Sequence, residues 1–291
     1  MNSVAKMGIR SVMAALDAVL PSHVYRRILK VLVPTYKTAA RWLYLTKGAI
    51  TYGIWNPAKW KMVKLIHTVF PYTLVGTGGL EATYLSAKKL EEGGIEGDFV
   101  ELGVARGGCA ALMGHVLFDS DQASSISRKL WLFDSFEGLP EPGEEDYDTD
   151  QGGGTGDHIQ LLEKGDCLGT LGEVQALMFD NYRFPKEQIE FVQGWFEDTV
   201  FREGQAIEKI ALLRLDGDWY ASTKICLEGF YDRVVSGGIV IIDDYDTCYG
   251  CKRAVEEFFN DRGVSMPMIK DGRGGRYFEK TDQTASNASK V

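Results

Sequence analysis

The order of apolar and polar positions divides the chain into two regimes. From Gly97 onward, short apolar runs alternate with longer stretches of helical spacing. The runs are Asp98–Val104, Lys129–Phe136, Gln188–Phe196, Lys209–Asp216 and Gly238–Asp244. Each has the length of a buried strand, and several lack polar alternation, as expected when helices cover both faces of a parallel sheet. The segments between them, Gly107–Phe118, Gly169–Asn181, Ser222–Val235 and Cys251–Asp261, have the length and spacing of crossover helices. Met266–Lys270 and Arg276–Lys280 are candidates for two further strands. The pattern predicts an α/β fold with a doubly wound, mainly parallel seven-stranded sheet.

Residues 1–96 show helical spacing without a strand pattern, and Trp42, Tyr44, Trp55 and Trp60 give them bulk to pack. A helical extension over 1–70, an α/β domain over 71–280 and a polar tail over 281–291 are the expected divisions. Within the extension Met13, Leu16, Leu20, Val24, Ile28 and Val31 recur at helical spacing, and Pro21 is expected to split that stripe into two helices. Leu139–His158 breaks the rhythm, being rich in acid and glycine with no Lys or Arg. A loop of that length reads as a candidate lid, or else as a solvated acidic insertion.

Composition narrows the class. The 291 residues are 45% hydrophobic and 11% aromatic, enough for a sizeable core, which excludes a disordered tail or a disulfide-stapled miniprotein. Cys109, Cys167, Cys226, Cys248 and Cys251 are odd in number and thinly spread, which predicts thiols in a reducing compartment and a cytoplasmic address. No apolar run approaches the ~18 residues of a membrane span. The Ser11–Leu20 run is short and contains Asp17, a poor fit to a signal peptide.

The net charge of −9 is unevenly spread: residues 1–50 carry +7 and the remaining 241 carry −16. An acidic body argues against nucleic acid as a partner. The basic helices could touch an anionic membrane surface, whereas the plainer reading packs them on the body or on a second subunit, in keeping with an expected homo-oligomer.

Candidate chemistry gathers at the strand ends, where a doubly wound sheet binds its ligand. The first strand ends in ELGVARGG, Glu101–Gly108, whose Gly103, Gly107 and Gly108 allow tight turning. The spacing is not the G-x-G-x-x-G of a dinucleotide site, and Glu101 suits a ligand of cationic character. Asp134 ends the second strand, placed either to accept from ribose hydroxyls or to form a turn. Gly194–Thr199, GWFEDT, offers Trp195 and Phe196 as flat surfaces for a base, or as ordinary core aromatics.

Asp216 and Asp218 end the fourth strand, and Asp243, Asp244 and Asp246 the fifth. On neighbouring parallel strands these ends lie about 5 Å apart. Carboxylates so close repel unless they share a cation or a proton, and an oxygen-only set favours Mg²⁺. The alternative is a set of caps and loop acids. Cys248 and Cys251 form a C-x-x-C without further zinc ligands, and His23, His67, His115 and His158 lack a triad context. Neither a G-x-S-x-G elbow nor a P-loop is present.

PYTLVG (71–76), GDFVELGVARGG (97–108), FDSFEGLP, QGWFEDT, LRLDGDWYAST and GGIVIIDDYDTCYG (237–250) together resemble the macrocin O-methyltransferase family, over roughly residues 70–280. The resemblance implies a class I S-adenosylmethionine fold, Mg²⁺ dependence and methyl transfer to a small-molecule hydroxyl, commonly on a sugar or glycoside. It implies that Thr73 and Leu74 border the methionine end of the cofactor and that Glu101, Gly103, Ala105 and Gly107 cradle it. Asp134 and Ser135 would hold the ribose, and Gly194 and Trp195 flank the adenine. Asp216, Asp243 and Asp244 would ligate the metal, with Asp216 also accepting the proton. Residues 1–50 and the C-x-x-C fall outside the pattern. A nicotinamide-dependent oxidoreductase on a nucleotide sugar, or a non-catalytic cofactor-fold binding protein, are the competing readings.

Overall fold

A computed structural model describes residues 19–118, 127–148, 155 and 162–281, with the side chains of 22, 23, 26, 29, 30 and 33 left aside. Met13, Leu16, Asp17, His158, the later part of the acidic segment and the tail from 282 lie outside the described residues.

The chain forms two compact units, one of residues 1–67 with 157–162, the other of residues 68–156 with 163–291. In the first, helix α1 (Ser22–Thr51) starts directly after Pro21, its N-cap residue; the helix expected before Pro21 lies, up to residue 18, outside the described residues. Helix α2 (Pro57–Val69) returns against it. Gly48 lets the two approach, since a Cβ there would lie 2.5 Å from Val63 Cγ1. Arg41 Nε donates to the His67 carbonyl at 2.9 Å, and the Trp42 and His67 rings meet edge-on at 5.0 Å.

The second unit holds helix α3 (Thr77–Glu92), strand β1 (Asp98–Leu102), α4 (Gly108–Leu117), β2 (Leu130–Asp134) and α5 (Leu171–Gln175), which runs on as a π-helix over Ala176–Asn181. There follow β3 (Ile189–Gln193), α6 (Phe196–Thr199), β4 (Ile210–Leu215), α7 (Tyr220–Phe230), β5 (Val234–Ile242), α8 (Tyr249–Asp261), β6 (Ile269–Lys270) and β7 (Arg276–Glu279). The sheet order is β3-β2-β1-β4-β5-β7-β6; the first five strands are parallel, and β7 pairs antiparallel with both β5 and β6. The expected seven strands are all present. Phe99, Leu102, Phe133, Leu212 and Leu213 are fully buried, each contributing about 1.5–3 kcal/mol of apolar burial.

One boundary differs. The helix expected to reach Val235 ends at Phe230, and Val234 already pairs with Ile210 in β5. The register then jumps to Leu212–Ile239, a bulge made by Ser236–Gly238 with Gly237 at φ +82°, so the valines belong to a strand that an insertion separates from its apolar half.

The acidic loop is pinned at its root. Asp146 is buried, and its carboxylate accepts from the backbone N–H of Gly143 (2.7 Å) and of Tyr220 (2.6 Å), at the start of α7. Trp219 Nε1 donates to the Pro140 carbonyl at 3.1 Å. Residues 139–148 are thus a fastened segment; the remainder of the expected lid, apart from Thr155, is outside the described residues.

Gly103 closes β1 with φ +90°, and a Cβ there would lie 1.8 Å from the Asp216 carbonyl oxygen, which is backbone and cannot swing away. Gly103→Ala is expected to lower unfolding stability by about 2–5 kcal/mol, from left-handed strain plus overpacking, as read by urea denaturation.

Candidate active site

Strand order reverses between β1 and β4, which opens a crevice at their carboxyl ends. The strand ends are level. Asp216 N–H donates to the Leu102 carbonyl (2.8 Å) and Asp243 N–H to the Leu215 carbonyl (2.9 Å). Glu101 on β1 and Arg214 on β4 are register partners, so their side chains stand side by side.

Asp134 braces the glycine loop. Its Oδ2 accepts from Val104 N–H (2.7 Å) and Ala105 N–H (2.9 Å), and its Oδ1 from Phe136 N–H (2.7 Å). These bonds hold Ala105 at φ +46°, and they favour the charged carboxylate against a burial that raises its pKa. Ser135 Oγ donates to the Gly138 carbonyl (3.2 Å) and accepts from Glu137 N–H (3.1 Å). Gly194 N–H donates to the Asp134 carbonyl (3.0 Å), placing the GWFEDT turn beside the same strand end. Thr73 Oγ1 accepts from Val75 N–H (3.0 Å), and Gly108 passes so close to Tyr72 and Thr73 that a Cβ would touch both within 2.7 Å. Gly107, at φ +84°, opens α4. Leu74 is exposed and Trp195 half-buried, each presenting apolar surface to solvent.

Asp216, Asp243 and Asp244 each bring a carboxylate oxygen within 4.8 Å of the others, and Asp218, Asp244 and Cys248 form a second such group sharing Asp244. Asp246 does not join them; it turns outward to Arg276 (2.6 Å) and Lys270 (3.6 Å). Two arginines enter the cluster. Arg214, wholly buried, donates to Asp216 Oδ2 (2.7 Å) and Asp243 Oδ1 (2.6 Å) and lies 3.4 Å from Glu101 Oε1. Arg273 Nη1 bonds the other Asp243 oxygen and lies 4.0 Å from Asp244 Oδ1. Asp243 is therefore held by arginine on both oxygens. Asp244 is not: its Oδ1 accepts from Thr247 Oγ1 (3.2 Å), while its Oδ2 is buried with no hydrogen-bond partner.

Glu101, Asp216, Asp218, Asp243 and Asp244 outnumber the two guanidiniums. Burial pushes the Glu101 carboxyl up to about 8 despite Arg214, and burial with the Asp216 and Asp243 charges takes Asp218 to about 8. Burial also raises Asp216, reinforced by Asp243, and raises Asp244 well above the usual carboxylate range. Glu101 Oε2, like Asp244 Oδ2, is buried without a partner. A desolvated cluster of carboxyls with orphaned acceptor atoms has the donor chemistry for a cation, whose charge would favour their ionised forms.

Arg214, Arg273 and Asp271, which no motif singles out, take part in the site, and Asp218 lies beside the expected ligand set. Asp271 shapes the loop that presents Arg273, accepting on Oδ1 from the N–H groups of Arg273 (2.6 Å), Gly274 (3.0 Å) and Gly275 (3.1 Å). A charged residue inside the apolar run LLRL was the available signal for Arg214. The C-x-x-C also gains a place: Cys248 Sγ donates to Asp218 Oδ1 at 3.8 Å, and Cys251 is buried in the core.

This sheet order, with the site at the β1/β4 reversal, defines a class I O-methyltransferase fold. The solved structure of the O-methyltransferase NovP matches it at TM-score 0.62 and 34% identity, covering 72% of this chain and 82% of that one. The family described as macrocin-O-methyltransferase (TylF) matches residues 59–280, and the chain belongs to it. Among its relatives, demethyldecarbamoylnovobiocin O-methyltransferase of Streptomyces niveus is 35% identical over 210 residues, 72% of this chain and 76% of the relative. The 8-demethyl-8-(2,3-dimethoxy-alpha-L-rhamnosyl)-tetracenomycin-C 4'-O-methyltransferase of Streptomyces olivaceus is 35% identical over 204 residues, 70% and 74% of the two chains.

Arg214→Met is expected to destabilise the protein by about 3–5 kcal/mol, because it leaves buried carboxylates uncompensated. Adding Asp243→Asn to that variant should recover part of the loss, measured as a double-mutant cycle in urea.

Proposed function

We propose that the protein transfers a methyl group from S-adenosylmethionine to a hydroxyl of a sugar or glycosylated natural product, with Mg²⁺ held by Asp216, Asp243 and Asp244. The observation that carries this reading is the convergence of those three carboxylates within 4.8 Å, with Asp244 Oδ2 buried and unpartnered. An all-oxygen donor set carrying excess negative charge fits a hard divalent ion, which Asp243 would meet by exchanging an arginine contact. The relatives' acceptors, demethyldecarbamoylnovobiocin and a rhamnosyl tetracenomycin C, support the substrate class.

Methyl transfer is an in-line displacement, so the chain's main task is to hold donor and acceptor in line. Glu101 Oε2 is assigned to the amino group of the methionine moiety, which Thr73 and Leu74 border. The backbone of Gly103, Ala105 and Gly107 cradles the same moiety. Asp134 Oδ1, which takes a single backbone bond, keeps capacity for a ribose hydroxyl beside Ser135, and Gly194 and Trp195 flank the adenine. Bound Mg²⁺ would orient the acceptor hydroxyl and lower its pKa. Asp216 accepts the hydroxyl proton. A second acceptor is favoured by one observation: Asp218 bonds to no arginine among the described residues, and its pKa lies near 8. Loss of turnover in Asp218→Asn, with Mn²⁺ binding retained, would move the proton to Asp218.

S-adenosylhomocysteine is expected to raise the melting temperature, and NAD(H) to leave it unchanged. EDTA treatment and Asp243→Ala should each reduce turnover to background while S-adenosylhomocysteine still binds. Full activity in chelated protein, with no metal on elemental analysis, would retire the metal assignment.

A further inference from the structure

The annex carries a surface that the methyl-transfer reading does not use. From Ala18 to Leu80 the sequence contains no Asp or Glu, while Arg26, Arg27, Lys30, Lys37, Arg41, Lys47, Lys59, Lys61 and Lys64 fall inside it, in a chain whose net charge is −9. On α1 the positions of Val31, Leu32, Tyr36, Trp42, Leu43 and Ile50 fall within an arc of about 140° at 100° per residue. All six side chains are exposed. Gly48, which packs on Val63, lies on the opposite side of the helix, so this apolar arc points away from α2 except at its edge, where the half-exposed Trp42 meets the His67 ring. The turn beyond α1 adds Ile54 and Trp55, 84% and 82% exposed. Arg27 and Lys47 on α1 and Lys59 and Lys64 on α2 are exposed.

We infer that this face of the annex docks on an anionic membrane surface. Apolar and aromatic side chains combined with a cationic, acid-free surround match the headgroup boundary of such a bilayer: rings and aliphatic chains enter it and the cations meet lipid phosphates. Among the described residues no helix is long and apolar enough to cross a membrane, so the annex lies on the surface. A second copy fits less well. A two-fold contact through this face would join two cationic, acid-free surfaces, with no carboxylate on either side to pair the lysines. The inference is independent of the methyl-transfer site.

The test is co-sedimentation of the full chain with vesicles of phosphatidylcholine alone or with about one-third phosphatidylglycerol. Binding to the anionic vesicles and release by about 0.5 M NaCl are expected. Lys47→Gln/Lys59→Gln/Lys64→Gln should weaken partition about fivefold per cation lost. Ile54→Ser/Trp55→Ser should weaken it at least about tenfold. Cooperative unfolding by circular dichroism confirms that each variant is folded. No anionic preference, or unchanged partition in both folded variants, would overturn the inference. So would a dimer in analytical ultracentrifugation that Ile54→Ser/Trp55→Ser dissolves, since a second copy would then cover the face.

Discussion

The buried guanidinium of Arg214 joins the middle of the sheet to the middle of the site. Desolvating such an ion costs several kcal/mol, and Asp216 and Asp243, with Glu101 nearby, offset that cost only because β1, β4 and β5 end level with one another. The carboxylates in turn could not share so small a volume without the arginine. Strand register, charge balance and crevice shape are therefore one arrangement, and the surplus of acid over base is what leaves the crevice able to attract a cation.

At two positions around that centre the proposed function and the stability of the fold draw on the same atoms. Asp134, proposed to meet the cofactor's ribose, also holds the loop after β1 in a conformation that includes a non-glycine residue at positive φ. Gly103 is required by the Asp216 carbonyl pressed against it, whatever ligand approaches from the other side. Neither residue can be assigned wholly to binding or wholly to folding.

The strands were legible because buried parallel strands are written as uninterrupted apolar runs between breaks, and the acids at their ends stood out against those runs. The start of β5 was not, since the bulge at Ser236–Gly238 separates Val234 and Val235 from the rest of their strand and leaves them contiguous with helical spacing. Arg214 was hidden within an apolar run whose other members are core. Arg273 was less legible still: its place beside Asp243 depends on a loop between β6 and β7 shaped by Asp271, a tertiary fact without a local pattern. The direction of the exposed apolar arc on α1 likewise follows from the side that meets α2. Periodicity alone gives an apolar stripe and does not say what covers it.

Glu101 and Arg214 are separated by 113 positions in the chain. Joining β1 to β4 means closing that whole span, with β2, β3 and their helices inside it, and long closures of this kind are slow steps in folding. Until they meet, the glutamate and the arginine are both solvated, and the reversal point of the sheet does not exist. The crevice in such a molecule is complete only once that distant pairing is made, and a nascent chain that has yet to emit β4 carries a glycine loop with nothing to close against.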